Sequence, residues 1–285
     1  MPTNPNVLIT GSSTGIGQAT ALHLDRLGFR VFAGVRKMED GNALCAQASG
    51  RLTPLLLDVT DSQAIAHAKE VVAATVGPAG LAGLVNNAGV GFDSPVEFIP
   101  LDDLRALFEV NVFGVIAVTQ AFLPLVRQAR GRIVNISSSL QIVVAPFSGS
   151  YSASKFAVGG FSRALRMEVR PFGVKVSVVV PGIIDTPIWK KGKEWTAEVR
   201  RAQASRLDPL YGKAFGKMQQ YSAGLGQKGI PPEEVARAIA HALTATHAKH
   251  YYLVGREARL FSLLTTFIPE RFHDWIALRT IGIEG

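Results

Sequence analysis

Asn6-Val7-Leu8-Ile9-Thr10 runs directly into Gly11-Ser12-Ser13-Thr14-Gly15-Ile16-Gly17, and the reading of this stretch decides the fold. The first five residues are a short apolar run of the kind that forms a buried strand, and the glycines after it let the backbone turn sharply. A helical pattern begins at once. Ala19, Leu22, Leu24 and Leu27 recur at mixed helical spacing, Gly28 falls where a helix ends, and Arg30-Val31-Phe32-Ala33-Gly34 reads as a second strand. Strand, glycine turn, helix and strand thus fit within about 30 residues. At such a helix N-terminus unpaired amides and the dipole favour an anion, and glycines admit a pyrophosphate close to the backbone. The competing reading is an ordinary turn; glycines placed between a strand and a helix favour dinucleotide binding over it.

Apolar runs ending near residues 10, 34, 58, 87, 137, 180 and 254, with helical segments between most of them, predict an α/β fold. The sheet is expected to be mainly parallel, doubly wound and seven-stranded, with helices on both faces. Ligands in such folds bind at the carboxyl ends of the strands. No Pro/Gly/Ser-rich tract, low-complexity stretch or repeat divides the 285 residues, so one domain is expected over 1–285.

The second informative stretch is Tyr151-Ser152-Ala153-Ser154-Lys155, which places a phenol and an ammonium on one helix face. The positive charge is expected to stabilise the phenolate and lower the phenol from about 10 towards neutrality, where proton exchange with a substrate oxygen is efficient. Ser138 follows the apolar run Arg132 to Ser137, a predicted strand, and can meet Tyr151 at one carbonyl if that strand ends beside the helix start.

The glycine spacing Thr-Gly-x-x-x-Gly-x-Gly, with Asn86-Asn87-Ala88-Gly89, Asn111, Ser138, Tyr151, Lys155 and Pro181-Gly182, closely resembles the short-chain dehydrogenase/reductase family in its core oxidoreductase branch. The resemblance covers roughly residues 6 to 254 and implies a Rossmann-type fold. It implies that Tyr151 is the proton donor and acceptor, Ser138 orients the substrate oxygen, Lys155 tunes the tyrosine and holds the nicotinamide ribose, and Asn111 keeps a water in line with the lysine. It places the cofactor against Gly11, Ser13, Thr14, Gly15, Ile16 and Gly17, against Asp58, Val59, Asn87, Ala88 and Gly89, and against Pro181, Gly182, Ile184 and Thr186. No metal is implied.

Cofactor choice turns on the end of the second strand, Gly34-Val35-Arg36-Lys37. A carboxylate there would accept from the adenosine ribose, whereas an arginine favours the extra phosphate. Val35 occupies the expected position and Arg36 follows it, so NADP(H) is favoured; Glu39 and Asp40 keep NAD(H) open. The wall between Ser138 and Tyr151 is apolar, including Ile142 and Phe147, as is the stretch with Ile183 and Ile188 that opens a substrate lid over about 183–230. Apolar walls select apolar ligands, so the expected substrate is a secondary alcohol or ketone on a lipophilic skeleton. The run Gly28-Phe29-Arg30-Val31-Phe32-Ala33-Gly34 and the tail resemble the hydroxysteroid and retinol dehydrogenase branch, which implies the same substrate character. A reductase of small or acyl-type carbonyls and a non-catalytic NAD(P)-sensing scaffold are the alternatives.

The formal charge of +8 raises nucleic-acid binding, but the densest basic cluster, Lys190 to Arg201, falls in the lid stretch and reads as a solvated face. Cys45 is the only cysteine and the polar start lacks signal-peptide character, which predicts a cytoplasmic protein. The extension over about 256–285 carries Leu260, Phe261, Leu263, Leu264, Phe267, Phe272, Trp275 and Ile276 among arginines, in runs too short to span a bilayer. Its expected roles are packing, closing the pocket, joining a partner subunit or lying on a membrane surface. Relatives imply a homodimer or homotetramer.

Overall fold

The computed structural model describes residues 5–226 and 228–281. The seven strands are β1 (Asn6–Ile9), β2 (Arg30–Val35), β3 (Leu52–Leu56), β4 (Gly83–Asn86), β5 (Arg132–Ile136), β6 (Lys175–Pro181) and β7 (Tyr251–Val254). They form one sheet in the order β3-β2-β1-β4-β5-β6-β7, and every pairing is parallel. The described sheet is therefore wholly, rather than mainly, parallel.

Helices α1 (Gly15–Arg26), α2 (Met38–Cys45) and α3 (Ser62–Val76) lie in the first half, with α4 (Leu101–Phe108), α5 (Gly114–Gln128) and α6 (Gly149–Glu168) after β4. Beyond β6 come α7 (Ile188–Gly226), α8 (Pro232–Thr244), α9 (Arg256–Phe267) and α10 (Glu270–Ile281). Because strand side chains alternate, β1 feeds two cores at once. Val7 and Ile9 pack with Leu24 of α1 and Val235 and Ile239 of α8, while Leu8 packs on the other face with Val72 of α3, Phe122 of α5 and Leu165 of α6. Each such side chain contributes about 1.5–3 kcal/mol.

Helix ends follow local chemistry. Asp61 caps α3 by accepting from the Gln63 and Ala64 amides, and Gly28, at φ 88°, takes the left-handed turn that closes α1. The segment Leu101–Gln128 is long and apolar enough to cross a membrane. Here it is a core layer: Val118, Phe122 and Val126 are fully buried against the sheet.

The strand order reverses between β1 and β4, which opens a crevice at their carboxyl ends. Thr10 ties the two edges together, its Oγ1 accepting from the amides of Asn87 and Ala88 at 3.0 and 3.1 Å.

Candidate active site

A cavity of about 1100 Å³ runs along this crevice and onward over β5 and β6. Its first part is built of backbone. Gly11 and Gly15 take φ of 66° and 58°, values that other residues adopt only with strain, and the first turn of α1 has no side-chain cap and no acidic residue. Its amides and dipole are left for an anion from outside the chain. Ser13, Thr14, Ile16, Asn87, Ala88 and Gly89 line the same stretch, as do Asp58 and Val59 beyond β3 and Pro181, Gly182, Ile184 and Thr186 beyond β6. Arg36 is exposed at the cavity edge beside buried Val35, while neither Glu39 nor Asp40 lines it. Gly17 differs from its expected place. It lies beneath the turn, where a β-carbon would overlap the Gly11 carbonyl and approach Asn87 Nδ2 to 2.5 Å. It is a packing glycine behind the cradle.

The strand-to-helix arrangement brings Ser138, Tyr151 and Lys155 together. Ser138 follows β5, its Oγ held by the Leu140 amide at 3.2 Å, and its side chain hydrogen-bonds Tyr151 from the first turn of α6. Lys155, one turn on, is buried, donates to the Ile136 carbonyl at 3.2 Å and stands 5.5 Å from the centre of the Tyr151 ring. Burial, opposed by the Ser138 hydrogen bond and reinforced by Asp93, pushes the phenol up to about 12, and burial pulls the ammonium down to about 8. The expected fall of the phenol towards neutrality is thus reversed. The ammonium lies over the ring face, and desolvation of the phenolate is the largest cause of the rise.

Asn111 stands behind this set rather than in the cavity wall. It sits in a π-helical turn, Glu109–Phe113, between α4 and α5, an irregularity often found at functional sites. Its side chain accepts from the Val90 amide and donates to the Val90 carbonyl and Ser154 Oγ, all within 3.0 Å. A β-carbon on Gly89 would lie 3.4 Å from Asn111 Oδ1 and 3.5 Å from Lys155 Nζ, so that glycine separates the two.

The apolar part of the cavity is lined by Leu140, Val143, Val144, Ala145 and Pro146 on one side and Ile183 and Ile188 on another. Two expected wall residues do not line it. A 3-10 turn at Ser139–Gln141 reorients the segment so that Ile142 is off the wall. Phe147, at φ 69°, is buried between body and α7 with Phe215, ring centres 5.2 Å apart. Sequence reasoning missed Asp93, which lines the cavity and whose carboxyl burial raises to about 6. Its signal was an acid set in the apolar run Val90-Gly91-Phe92 just after the Asn-Asn-Ala-Gly motif. Also missed were Met218 and Tyr221 of α7 and His273 and Ile281 of α10, all lining the cavity; Phe261 and Leu264, named in the extension for which closing the pocket was one expected role, line it too.

A short chain dehydrogenase profile matches residues 5–197. The chain belongs to the short-chain dehydrogenase family. Retinol dehydrogenase 5 of Mus musculus is 39% identical over 285 residues, covering 96% of this chain and 89% of the relative. The 17-beta-hydroxysteroid dehydrogenase type 6 of Bos taurus is 39% identical over 280 residues, covering 96% and 88%. Among solved structures, a short-chain dehydrogenase from Streptomyces avermitilis superposes with a TM-score of 0.76 at 28% identity, covering 99% of this chain and 98% of that one. One from Burkholderia cenocepacia, in complex with NADP, gives 0.74 at 26%, covering 97% and 99%. The chain is an NAD(P)-dependent oxidoreductase.

The glycine cradle fits a dinucleotide, because the first turn of α1 has neither a side-chain cap nor an acidic residue and opens on the cavity beside Gly11 and Gly15; a β-carbon on Gly11 would meet the Ala88 backbone at 2.9 Å, and one on Gly15 would meet Thr186 at 3.0 Å, so the turn is closed to side chains of its own. Bound there, a nicotinamide supplies or accepts the hydride. This short-chain dehydrogenase would hold it with the α1 amides, Asn87 to Gly89, Lys155 and Thr186, leaving the phenol and Ser138 hydroxyl for the substrate oxygen.

Proposed function

We propose that this dehydrogenase interconverts a secondary alcohol and a ketone on a lipophilic skeleton. The observation that carries the reading is the cavity itself. At about 1100 Å³ it is larger than an ordinary small-molecule pocket, so it has room for a dinucleotide and a bulky second ligand. Its substrate end is lined mainly by aliphatic and aromatic groups from three separate segments, and the relatives are named for retinol and for a hydroxysteroid.

In the reading we favour, Tyr151 holds the proton that a ketone oxygen takes up, and the ordinary pH range leaves that phenol protonated. Ser138 fixes the oxygen beside it, and Lys155, charged below about 8, stabilises the developing negative charge and contacts the ribose. Asn111 is a positioning residue, pinning the Val90 backbone against α6. Helix α7 is the substrate lid: Phe92 packs against Trp195 with ring centres 4.6 Å apart, and Trp195 Nε1 donates to Asp103 Oδ1 at 2.8 Å. Exposed Phe113, Phe156 and Met167 on the α5 and α6 side support pairing with a second copy.

A second reading concerns the extension. Leu260, Leu263, Phe272 and Trp275 are exposed, and Arg271 and Arg279 lie over the last two rings at 5.1 Å each. This outward face supports peripheral contact with a membrane surface.

An absorbance screen of the nicotinamide with large and small ketones tests the substrate reading; turnover of small or acyl-type carbonyls alone would replace it. Arg36 supports NADP(H) preference. Arg36→Leu is expected to weaken NADP(H) by about tenfold or more and NAD(H) little, because only the former carries the phosphate a guanidinium pairs with. Equal losses in a binding titration would remove the argument.

A further inference from the structure

Asp58, Asp93 and Asp185 line the cavity, and they differ in what holds them. Asp58 accepts from the Thr60 amide and hydroxyl, and Asp185 is exposed on the lid stretch. Asp93 is half-buried, and among the described residues its carboxyl accepts no hydrogen bond and joins no ion pair. Its oxygens stay open to the cavity, since the unpartnered side-chain atoms shut away among the described residues are Asn86 Oδ1 and His273 Nε2. The lysines of the same cavity leave it alone. Lys155 donates to the Ile136 carbonyl, and Lys190, Lys191 and Lys193 are exposed on α7 and form no ion pair with it.

The backbone fixes where this carboxyl stands. The Asp93 amide donates to Thr196 Oγ1 of α7 at 2.9 Å, and the next amide, that of Ser94, donates to the Phe147 carbonyl at 2.8 Å. Two residues earlier, Gly91 lies against the catalytic ring, where a β-carbon would stand 2.9 Å from Tyr151 Cδ2. The Asp93 charge is close enough to that phenol to disfavour its phenolate. Burial raises the carboxyl to about 6, so at neutral pH it is ionised and still unpaired.

A desolvated charge without a counter-ion is costly, and native structures retain one where something outside the chain completes it. We propose that Asp93 is a specificity-determining residue that pairs with a protonated amine on the substrate, a few bonds from the reacting carbon. The preferred substrate is then a lipophilic amino alcohol or amino ketone. A hydroxyl would occupy an oxygen of Asp93 but leave its charge uncompensated, whereas an ammonium supplies both the donors and the opposite charge. The pair would also remove one of the causes that raise the Tyr151 phenol, so such a substrate eases release of its own hydroxyl proton to Tyr151 in the oxidation direction. A site built around such a pair discriminates against the analogue lacking the amine, because that analogue leaves the carboxylate unpaired beside apolar surface. This rests on the lipophilic-substrate reading above and deepens it.

The test uses the full chain with saturating cofactor and matched long-chain secondary alcohols at neutral pH. One set carries a primary amine on the carbon beside the carbinol or on the next carbon out, the other a methyl group at the same place, and a steroid mono-alcohol is run beside them. The wild type is expected to favour the better amine over its methyl analogue by about tenfold or more in kcat/KM. Asp93→Asn, which keeps the shape without the charge, should bring that ratio to about one, and Asp93→Glu should keep part of it. A wild type that uses the methyl analogues or the steroid but gains nothing from either amine overturns the inference alone, whether or not the variants fold. A ratio unchanged in folded Asp93→Asn overturns it too. Turnover of none of these alcohols with either cofactor overturns the lipophilic reading, and the inference with it.

Discussion

Residues 11 to 59 and residues 183 to 281 line the same cavity, the first group largely with backbone and the second with side chains. In the first, Gly11 and Gly15 sit at left-handed φ, the α1 amides face outward, and Asn87 Nδ2 clamps the Thr10 and Gly11 carbonyls at 3.0 and 2.9 Å. In the second, a 39-residue helix and two terminal helices bring the side chains of Ile188, Met218, Tyr221, Phe261 and Leu264 to the cavity wall. Amides fit one diphosphate geometry whatever substrate follows, whereas side chains can be exchanged without disturbing the chain path. A reaction that always uses the same cofactor but varies its substrate calls for this division.

The largest effect belongs where the halves meet. Tyr151→Phe should reduce turnover at least about 100-fold while leaving nucleotide affinity close to wild type, since the hydroxyl acts on substrate and the cradle lies elsewhere. Retention of more than a tenth of the activity would remove Tyr151 as the acid. Next is the packing beneath the cradle. Gly17→Ala favours helix by up to about 1 kcal/mol, but its methyl meets a carbonyl that Asn87 already holds, so overpacking dominates at about 1–3 kcal/mol. Both melting temperature and nucleotide affinity should fall. A variant as stable and as tight-binding as wild type would mean the turn yields more easily than its hydrogen bonds imply.

The same division explains what the sequence disclosed. Backbone function leaves a residue signature, because glycine takes the φ of Gly15 with least strain and only a small set of side chains ties β1 to β4. The seven strand ends likewise fell within two residues of expectation, since buried parallel strands are continuous apolar runs. Ile142 and Phe147 were misplaced because which side of an irregular wall faces inward depends on a 3-10 turn and one left-handed residue, neither of which has a periodicity. Asp93 and His273 gave little signal for a related reason: a lone polar residue reads as solvated until the fold buries it. The direction of the Tyr151 shift also depended on burial, which the four-residue spacing does not report.

Lys155 offers a sharper measurement on the catalytic edge. Its folded value of about 8 lies below the ordinary 10.5, so between those values the unfolded chain keeps a proton that the folded chain has released, and stability contributed by this group rises with pH. Activity that needs the ammonium should move the other way, falling above about 8. In thermal melts at stepped pH, wild type should gain on Lys155→Met by on the order of 1–3 kcal/mol between about 8 and 10.5. A stability gap independent of pH would mean that the lysine is solvated.

The smallest effect is expected on the outward face of the extension, and it separates what the last helices do inside from what they do outside. Leu263 and Trp275 are 59% and 55% exposed and neither lines the cavity, so replacing both with serine removes apolar surface that the folded chain leaves in water. Stability should change by no more than about 0.5 kcal/mol per site, and turnover of a small soluble ketone should be retained. Partition onto anionic lipid vesicles should fall by about tenfold, because each large apolar side chain loses its transfer from water and the nearby arginines hold the helix only electrostatically. Co-sedimentation across a salt series reads both contributions: the apolar loss persists at high salt, where screening removes the arginine part. Equal vesicle binding by the variant and wild type would assign this face to a partner subunit, and a large fall in melting temperature would show that the two side chains pack on the body.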